Sequence, residues 1–392
     1  MVRKHYVAAL WAIAMLACPA ARADHAAATD DTGLTAPATD FTIVALPDTQ
    51  MYTAELNGGT PAMLQAQTEW IVTNRALHNI VYVTMEGDIS QDGSAKQTQW
   101  QIATNALYRL EDPVRTGLAQ GIPYGVAVGN HDTYNGGTML FNRYFGTDHF
   151  AGRAYYGGNY GGNNDSHYDL FSAGGMDFVV LSLTFSAGGD RGIMSWANGV
   201  LQSNATRRAI VVSHSLLNPA DWPTPGPWTA EGPAIYNALS NNPNLFLMLC
   251  GHMHGEGRRQ EPGNGRTIDL VLADYQSATN GGNGFLRLLE FSPSNDQIRV
   301  HTYSPYAGQS MTSTNSDFTL NYRMSGTPPF ATITTKSGVL SGSQTSTIWT
   351  NLQTDACYEW YVQASDGHRT AAGPTNRFRT ATSFRDGAGK PR

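Results

Sequence analysis

The stretch that decides the fold is "LMLCGHMHGEGRR", residues 247–259. An apolar run ends at Cys250, and His252 and His254 follow at i, i+2, bracketed by Gly251 and Gly255. Two imidazoles between glycines have little packing rationale, because glycine brings no side chain to bury them. The apolar run predicts a strand over 245–250, and the C-terminal end of a strand is where the ligand sites of α/β sheets gather. The same arrangement recurs upstream. "IVALPDTQ" (43–50) carries Asp48 and Gln50 off the end of a strand expected at 41–47. "EGDISQDG" (86–93) carries Asp88 off one at 80–86, after a glycine that allows a tight exit. "VGNHDTY" (128–134) carries Asn130, His131 and Asp132 off one at 124–128, and "VVSHSLL" (211–217) carries His214 off one at 208–213. Each piece alone has an ordinary explanation. An Asp after Pro is common turn chemistry, and a single His after a strand is usually a satisfied structural residue. The ordered set D-x-Q, GD, GNHD, H, GHxH does not arise so easily.

Further apolar runs predict strands at 176–184, 268–272 and 284–291, with helical patterns at 61–78, 95–110, 191–203 and 231–240. Strands alternating with helices predict an α/β domain over 40–305, and the closer spacing of the later strands predicts a second, partly antiparallel sheet. Two polar stretches, 155–169 and 220–233, are expected as long surface loops; the second carries Trp222 and Trp228 among its prolines. Residues 306–327 are expected as a linker. From 328 to 380 Thr and Ser dominate, helical patterns vanish, and Leu352, Tyr358, Trp360 and Val362 fall at even spacing, which predicts a small all-β segment. Residues 381–392 are expected as a disordered tail.

The first 23 residues are expected to act as an export signal. Arg3 and Lys4 precede the apolar run "YVAALWAIAMLAC" (6–18), which is short for a membrane span, and "ARA" (21–23) suits a small-x-small cleavage site. Cleavage there removes Arg3, Lys4 and Arg22 and no acid, taking the formal net charge from −6 to −9. The mature chain would then open on a flexible lead-in, 24–39, and hold no transmembrane segment. It would be secreted or periplasmic. Cys250 and Cys357 would remain, expected as free thiols rather than a disulfide framework. With 14% charged residues the bulk of the chain is globular, and without a Lys/Arg block it lacks the electrostatic footprint of a protein that binds long nucleic acid.

The motif set resembles the calcineurin-like metallophosphoesterases, whose ordered motifs are D-x-H, GD-x-x-D/N, GNH-D/E, H and GH-x-H, across residues 40–305. The resemblance implies a two-sheet sandwich flanked by helices (αββα) with a dinuclear metal centre at the strand ends. It implies that Asp88 bridges two divalent ions (Mn, Fe or Zn), that Asp48, Gln50 and His254 hold the first, and that Asn130, His214 and His252 hold the second. His131 would act on the ester rather than on a metal. Asp132 beside it reads either as the partner that orients His131 or as an exposed turn carboxylate. Two positions depart from the family pattern: Gln50 stands where a His is usual, and Gln91 where an Asp or Asn is common. An amide oxygen is harder and less basic than imidazole, which weakens the first site or biases it away from Zn²⁺. No Tyr follows the GD motif in "GDISQ", so a tyrosinate-bound ferric centre is not expected. The 328–380 segment resembles, in part, the tyrosine corner of a fibronectin type III domain, with Leu352 six residues before Tyr358.

Such a centre suits phosphoester hydrolysis. Two metals can lower the pKa of a bridging water and clamp phosphoryl oxygens. The expected activity is therefore a metal-dependent phosphoric ester hydrolase acting on a small phosphomonoester or phosphodiester. The alternative is a non-catalytic surface-binding protein on a degenerate phosphoesterase scaffold, for which Gln50 is the main argument and the other intact motif residues the main objection.

Overall fold

The computed structural model describes residues 6–7, 9–16, 40–324, 331–341, 343–350, 352, 357–365, 370–372 and 376–380. The chain divides into two units, Ala36–Ser325 and a second drawn from Met1–Thr35 and Gly326–Arg392. In the first, the strands are β1 Phe41–Leu46, β2 Ile80–Met85, β3 Tyr124–Val126, β4 Tyr156–Asn159, β5 His167–Ala173, β6 Met176–Leu183 and β7 Arg208–Ser213. They continue as β8 Leu245–Cys250, β9 Gly255–Pro262, β10 Thr267–Asp274, β11 Leu286–Ser292, β12 Gln297–Ser304, β13 Gln309–Met311 and β14 Asp317–Asn321. One sheet runs β13-β12-β11-β1-β2-β3, with β14 also on β12; the other runs β9-β10-β8-β7-β6-β5-β4.

Both sheets are mixed, with parallel strands at their hearts. β1, β2 and β3 are parallel, as are β6, β7, β8 and β10, while the outer pairings are antiparallel. The parallel strands are covered on both faces, which is why they read as near-continuous apolar runs. Alternation then sorts their side chains between layers. On β1, Phe41, Ile43 and Ala45 enter the core between the sheets, while Val44 and Leu46 face the core that includes Ile71 and Trp100, residues of helices Pro61–Asn74 and Gln97–Leu107. On β7, Ile210 and Val212 face between the sheets, and Ala209 and Val211 face the helix Arg191–Ser203. On β8, consecutive residues Phe246 and Leu247 both reach the inter-sheet core, because the pairing with β7 shifts register between Leu245 and Leu247. Three apolar clusters between four layers make the αββα sandwich. The helix Arg191–Ser203 is started by Asp190, whose side chain accepts from the N–H groups of Gly192 (2.7 Å) and Ile193 (3.0 Å).

The structure differs from the sequence reading in several places; β5, β9 and β12 lie where no strand was expected. The stretch 155–169 is not all loop: it supplies β4 and the start of β5. Its glycines were misleading because Gly157 makes room for the ring of Tyr168 on the neighbouring strand, where a Cβ would collide. Nor is 306–327 a linker. It contributes β13 and β14 to the first sheet, and the alternation in "DFTLN" buries Phe318 and Leu320 between the sheets. Its polar residues are the outward half of an edge strand. By contrast, 220–233 is loop up to the helix Gly232–Leu239.

In the second unit, strands Ala331–Lys336, Cys357–Ser365, Thr370–Ala372 and Asn376–Arg379 are present, with Trp360 and Val362 half-buried at even spacing. The apolar run expected as an export signal forms strands over Tyr6–Val7 and Ala9–Leu16, and the latter pairs antiparallel with both Ala331–Lys336 and Cys357–Ser365. The lead-in 24–39, the tail 381–392 and the Tyr358 side chain lie outside the described residues. No helix among the described residues is long and apolar enough to cross a membrane.

Candidate metal centre

The loops that leave β1, β2, β3, β7 and β8 bring the motif residues together. Asp88 is fully buried and sits at φ +49° after Gly87; His252 sits at φ +70° after Gly251. Non-glycine residues in this left-handed region are uncommon and gather where surrounding structure holds them for a purpose. The motif glycines have a steric reason. A Cβ at Gly87 would collide with the His214 ring, one at Gly129 with the Asp88 carboxylate, and one at Gly251 with the Asp48 carboxylate. Each motif glycine leaves space for a polar side chain of another motif.

His214 is buried completely. Its Nδ1 lies 2.8 Å from the Glu86 carbonyl, to which it donates, so Nε2 faces inward. There it lies 3.1 Å from Asp88 Oδ2, 3.1 Å from Asn130 Oδ1 and 3.9 Å from Asp48 Oδ1. A backbone carbonyl on one ring nitrogen and ligand oxygens around the other is the usual arrangement of a metal-binding imidazole. Burial lowers the His214 pKa, but Asp88 and Asp48 outweigh it and hold the imidazolium up to about 10. A proton is held where these groups favour positive charge. Ligand atoms of Asp88, His214 and His252 all lie within 4.8 Å of one another.

Asp48 accepts from the His252 N–H at 3.1 and 3.2 Å. Burial, then the Asp274 carboxylate, pushes the Asp48 carboxyl well up. For Asp88 burial also acts upward, but His214 and the His131 N–H, at 2.8 Å from Oδ1, outweigh it and hold the carboxyl low. Gln50 is buried; its Nε2 donates to Asp88 Oδ2 at 3.1 Å, and its Oε1 has no partner. His254 is exposed just before β9; burial pushes the Asp274 carboxyl up, and His254 is among the groups that oppose this. Clustered buried carboxylates, an inward imidazole nitrogen and an orphaned buried amide oxygen fit divalent cations, because each leaves negative charge or lone pairs uncompensated.

The expected role of Asp132 is corrected. It is fully buried, and its two oxygens accept from the N–H groups of Ser90 and Gly129, each at 2.9 Å. It ties the GD loop to the GNHD loop. The orienting partner of His131 is Gln91 instead: its carbonyl and its side-chain nitrogen each lie 3.0 Å from His131 Nδ1. Sequence reasoning missed Asp274 and Gln276. Asp274 ends β10, so the strand-end rule that found the other motifs would have found it had the strand been carried past 272.

Comparison with known proteins follows this geometry. A family model described as "Calcineurin-like phosphoesterase" matches residues 41–256. The Bacillus subtilis (strain 168) protein YvnB is 33% identical over 362 residues, which is 84% of this chain and 26% of that one, so the chain spans about a quarter of that relative. Among solved structures, a dimetal phosphatase from Danio rerio is similar at TM-score 0.49 and 13% identity, covering 73% of this chain and all of that one. The calcineurin-like phosphoesterase YfkN from Bacillus subtilis gives TM-score 0.37 at 14% identity, over 70% of this chain and 93% of its own.

Proposed function

The chain belongs to the calcineurin-like phosphoesterase family, and we propose that it is an exported hydrolase of small phosphomonoesters or phosphodiesters that uses two divalent ions. The observation that carries the reading is the convergence of Asp88, His214 and His252 on one point from three separate loops, with His214 Nε2 turned onto the Asp88 carboxylate at 3.1 Å. Asp88 would bridge the two ions, Asp48, Gln50 and His254 would hold one, and Asn130, His214 and His252 would hold the other. Two bound ions would supply charge for the phosphoryl oxygens and a water of lowered pKa.

The chain's own residues do the rest. Asp88 has both oxygens engaged, by the His131 N–H on one side and by His214 and Gln50 on the other, which fixes its plane. Asp132 holds the two loops that carry Asp88 and Asn130 at fixed separation. His131, its ring half-buried and its Nδ1 accepting from the Gln91 side-chain nitrogen at 3.0 Å, carries its proton on Nε2, from which it can donate to a phosphoryl oxygen or to a leaving group. An acidic mature surface and the missing basic patch favour small substrates over long nucleic acid. Export is supported by the positive start, the apolar run and the small-x-small site; N-terminal sequencing of secreted protein should return Asp24. The test of activity is metal content together with a panel of chromogenic mono- and diesters. Close to two transition-metal ions per chain and turnover lost on chelation are expected. Metal-independent turnover would overturn the two-metal reading, and two ions with none of the esters cleaved would favour the binding-scaffold reading.

A further inference from the structure

Gln50 is one of the two residues at which this chain leaves the family pattern, and its surroundings reach beyond the motif residues. Its Nε2 donates not only to Asp88 but also to Gln276 Oε1, at 2.6 Å. Gln276 is itself buried and held at both ends by one carboxylate: its main-chain N–H donates to Asp274 Oδ1 and its Nε2 to Asp274 Oδ2, each at 2.9 Å. Four side chains therefore form one line, Asp274–Gln276–Gln50–Asp88.

The line has a direction. A carboxylate only accepts, whereas an amide has a donating and an accepting end. Asp274 at one end obliges Gln276 to turn its nitrogen toward it and its oxygen toward Gln50. Gln50 must then turn its nitrogen to Gln276, where its second N–H also meets Asp88. What is left over is Gln50 Oε1, buried and without a protein partner. An unsatisfied buried amide oxygen is destabilising, and a bound cation would remove that cost.

We propose that Asp274 and Gln276 are positioning residues that fix the Gln50 amide so that Oε1 is the atom offered to a metal ion in the first site. The inference rests on the metal-centre reading above. It predicts that orientation, not charge alone, sets the affinity of that site.

The test is calorimetric titration of Mn²⁺ into the chelator-stripped full chain. The proteins compared are wild type, Gln276→Leu, Asp274→Asn, Gln50→His and the double variant Gln50→His/Gln276→Leu. Gln276→Leu should weaken one binding event by about 10–100-fold, as changes behind a metal ligand do, and leave the other in place. Asp274→Asn, which keeps the shape of the side chain, should weaken the same event and covers the case that Gln276→Leu fails to fold. Against Gln50→His, the double variant should show little further loss. Unchanged isotherms, or an equal loss with and without Gln50→His, would overturn the proposal while leaving the metal centre standing. A chain that binds no metal would overturn both.

Discussion

His214 and Gln50, assigned to different ions of the proposed centre, are oriented by different means. The His214 ring takes its direction from a main-chain carbonyl, that of Glu86 at 2.8 Å. The Gln50 amide takes its direction from side chains, Gln276 at 2.6 Å and Asp88 at 3.1 Å. A backbone anchor survives every substitution around it, so the half it serves can stay fixed to one residue type. A side-chain anchor can be rebuilt with its client. The chain departs from the family pattern on that second half, with an amide where an imidazole is usual.

The largest break in the comparison comes from the group common to both halves. Asp88→Ala removes the carboxylate that, among the described residues, hydrogen-bonds both His214 and Gln50, and two cations would then face each other unshielded. Metal analysis should show both ions lost and turnover at background; full occupancy would end the bridging assignment. His131→Ala comes next and separates binding from chemistry. It should keep its metal and lose about 10²–10⁴-fold in turnover, the usual contribution of a positioned proton donor. Metal loss in that variant would make His131 a ligand.

The Gln50 substitutions sharpen the difference between the halves. Gln50→Ala should weaken one binding event and leave the site of Asn130, His214 and His252 filled. Gln50→His should tighten the first site and shift its preference toward Zn²⁺, since imidazole is the softer and more basic donor. Identical isotherms for the three proteins would place Gln50 outside the metal shell.

The smallest effect concerns a buried carboxyl away from the centre. Asp169, beneath the Tyr82 hydroxyl at 2.7 Å, is pushed up to about 8 by burial, and burial also pushes the nearby His167 down to about 4, so no cation compensates it. Asp88, equally buried but facing His214, is held low. The folded chain thus binds the Asp169 proton more tightly than the unfolded chain does. The stability this contributes is full below the ordinary carboxylate range and is lost as pH rises through about 8. Asp169→Asn should flatten part of the fall in melting temperature between pH 5 and pH 8.5, by roughly the few degrees that about 1 kcal/mol moves a domain of this size. Parallel curves for the two proteins would mean that Asp169 is ionised in the folded state.

Much of this was legible in the sequence, and the parts that were not have a common cause. The strand ends and the order of ligands could be read because both depend on neighbours in the chain: an apolar run must end before polar residues can be displayed. Helix 191–203 was readable for the same reason, its Asp190 cap and its apolar face being local. Strands β4, β9, β13 and β14 were not, because each lies at a sheet edge and shows mostly exposed or half-buried residues. Gly157 looked like loop because the ring that fills its space belongs to Tyr168 on another strand.

The sequence by itself determined the residue types of the centre, their order and the strands that deliver them, since spacing and composition are properties of the chain. Only the tertiary structure decided what each one faces. It made Asp132 a tie between two loops rather than a partner of His131. It gave that partnership to Gln91 and drew Asp274 and Gln276 in behind Gln50. Hydrogen bonds between residues 226 positions apart, as in Gln50 and Gln276, leave no local trace. The direction of an amide is set by the groups that meet it in space.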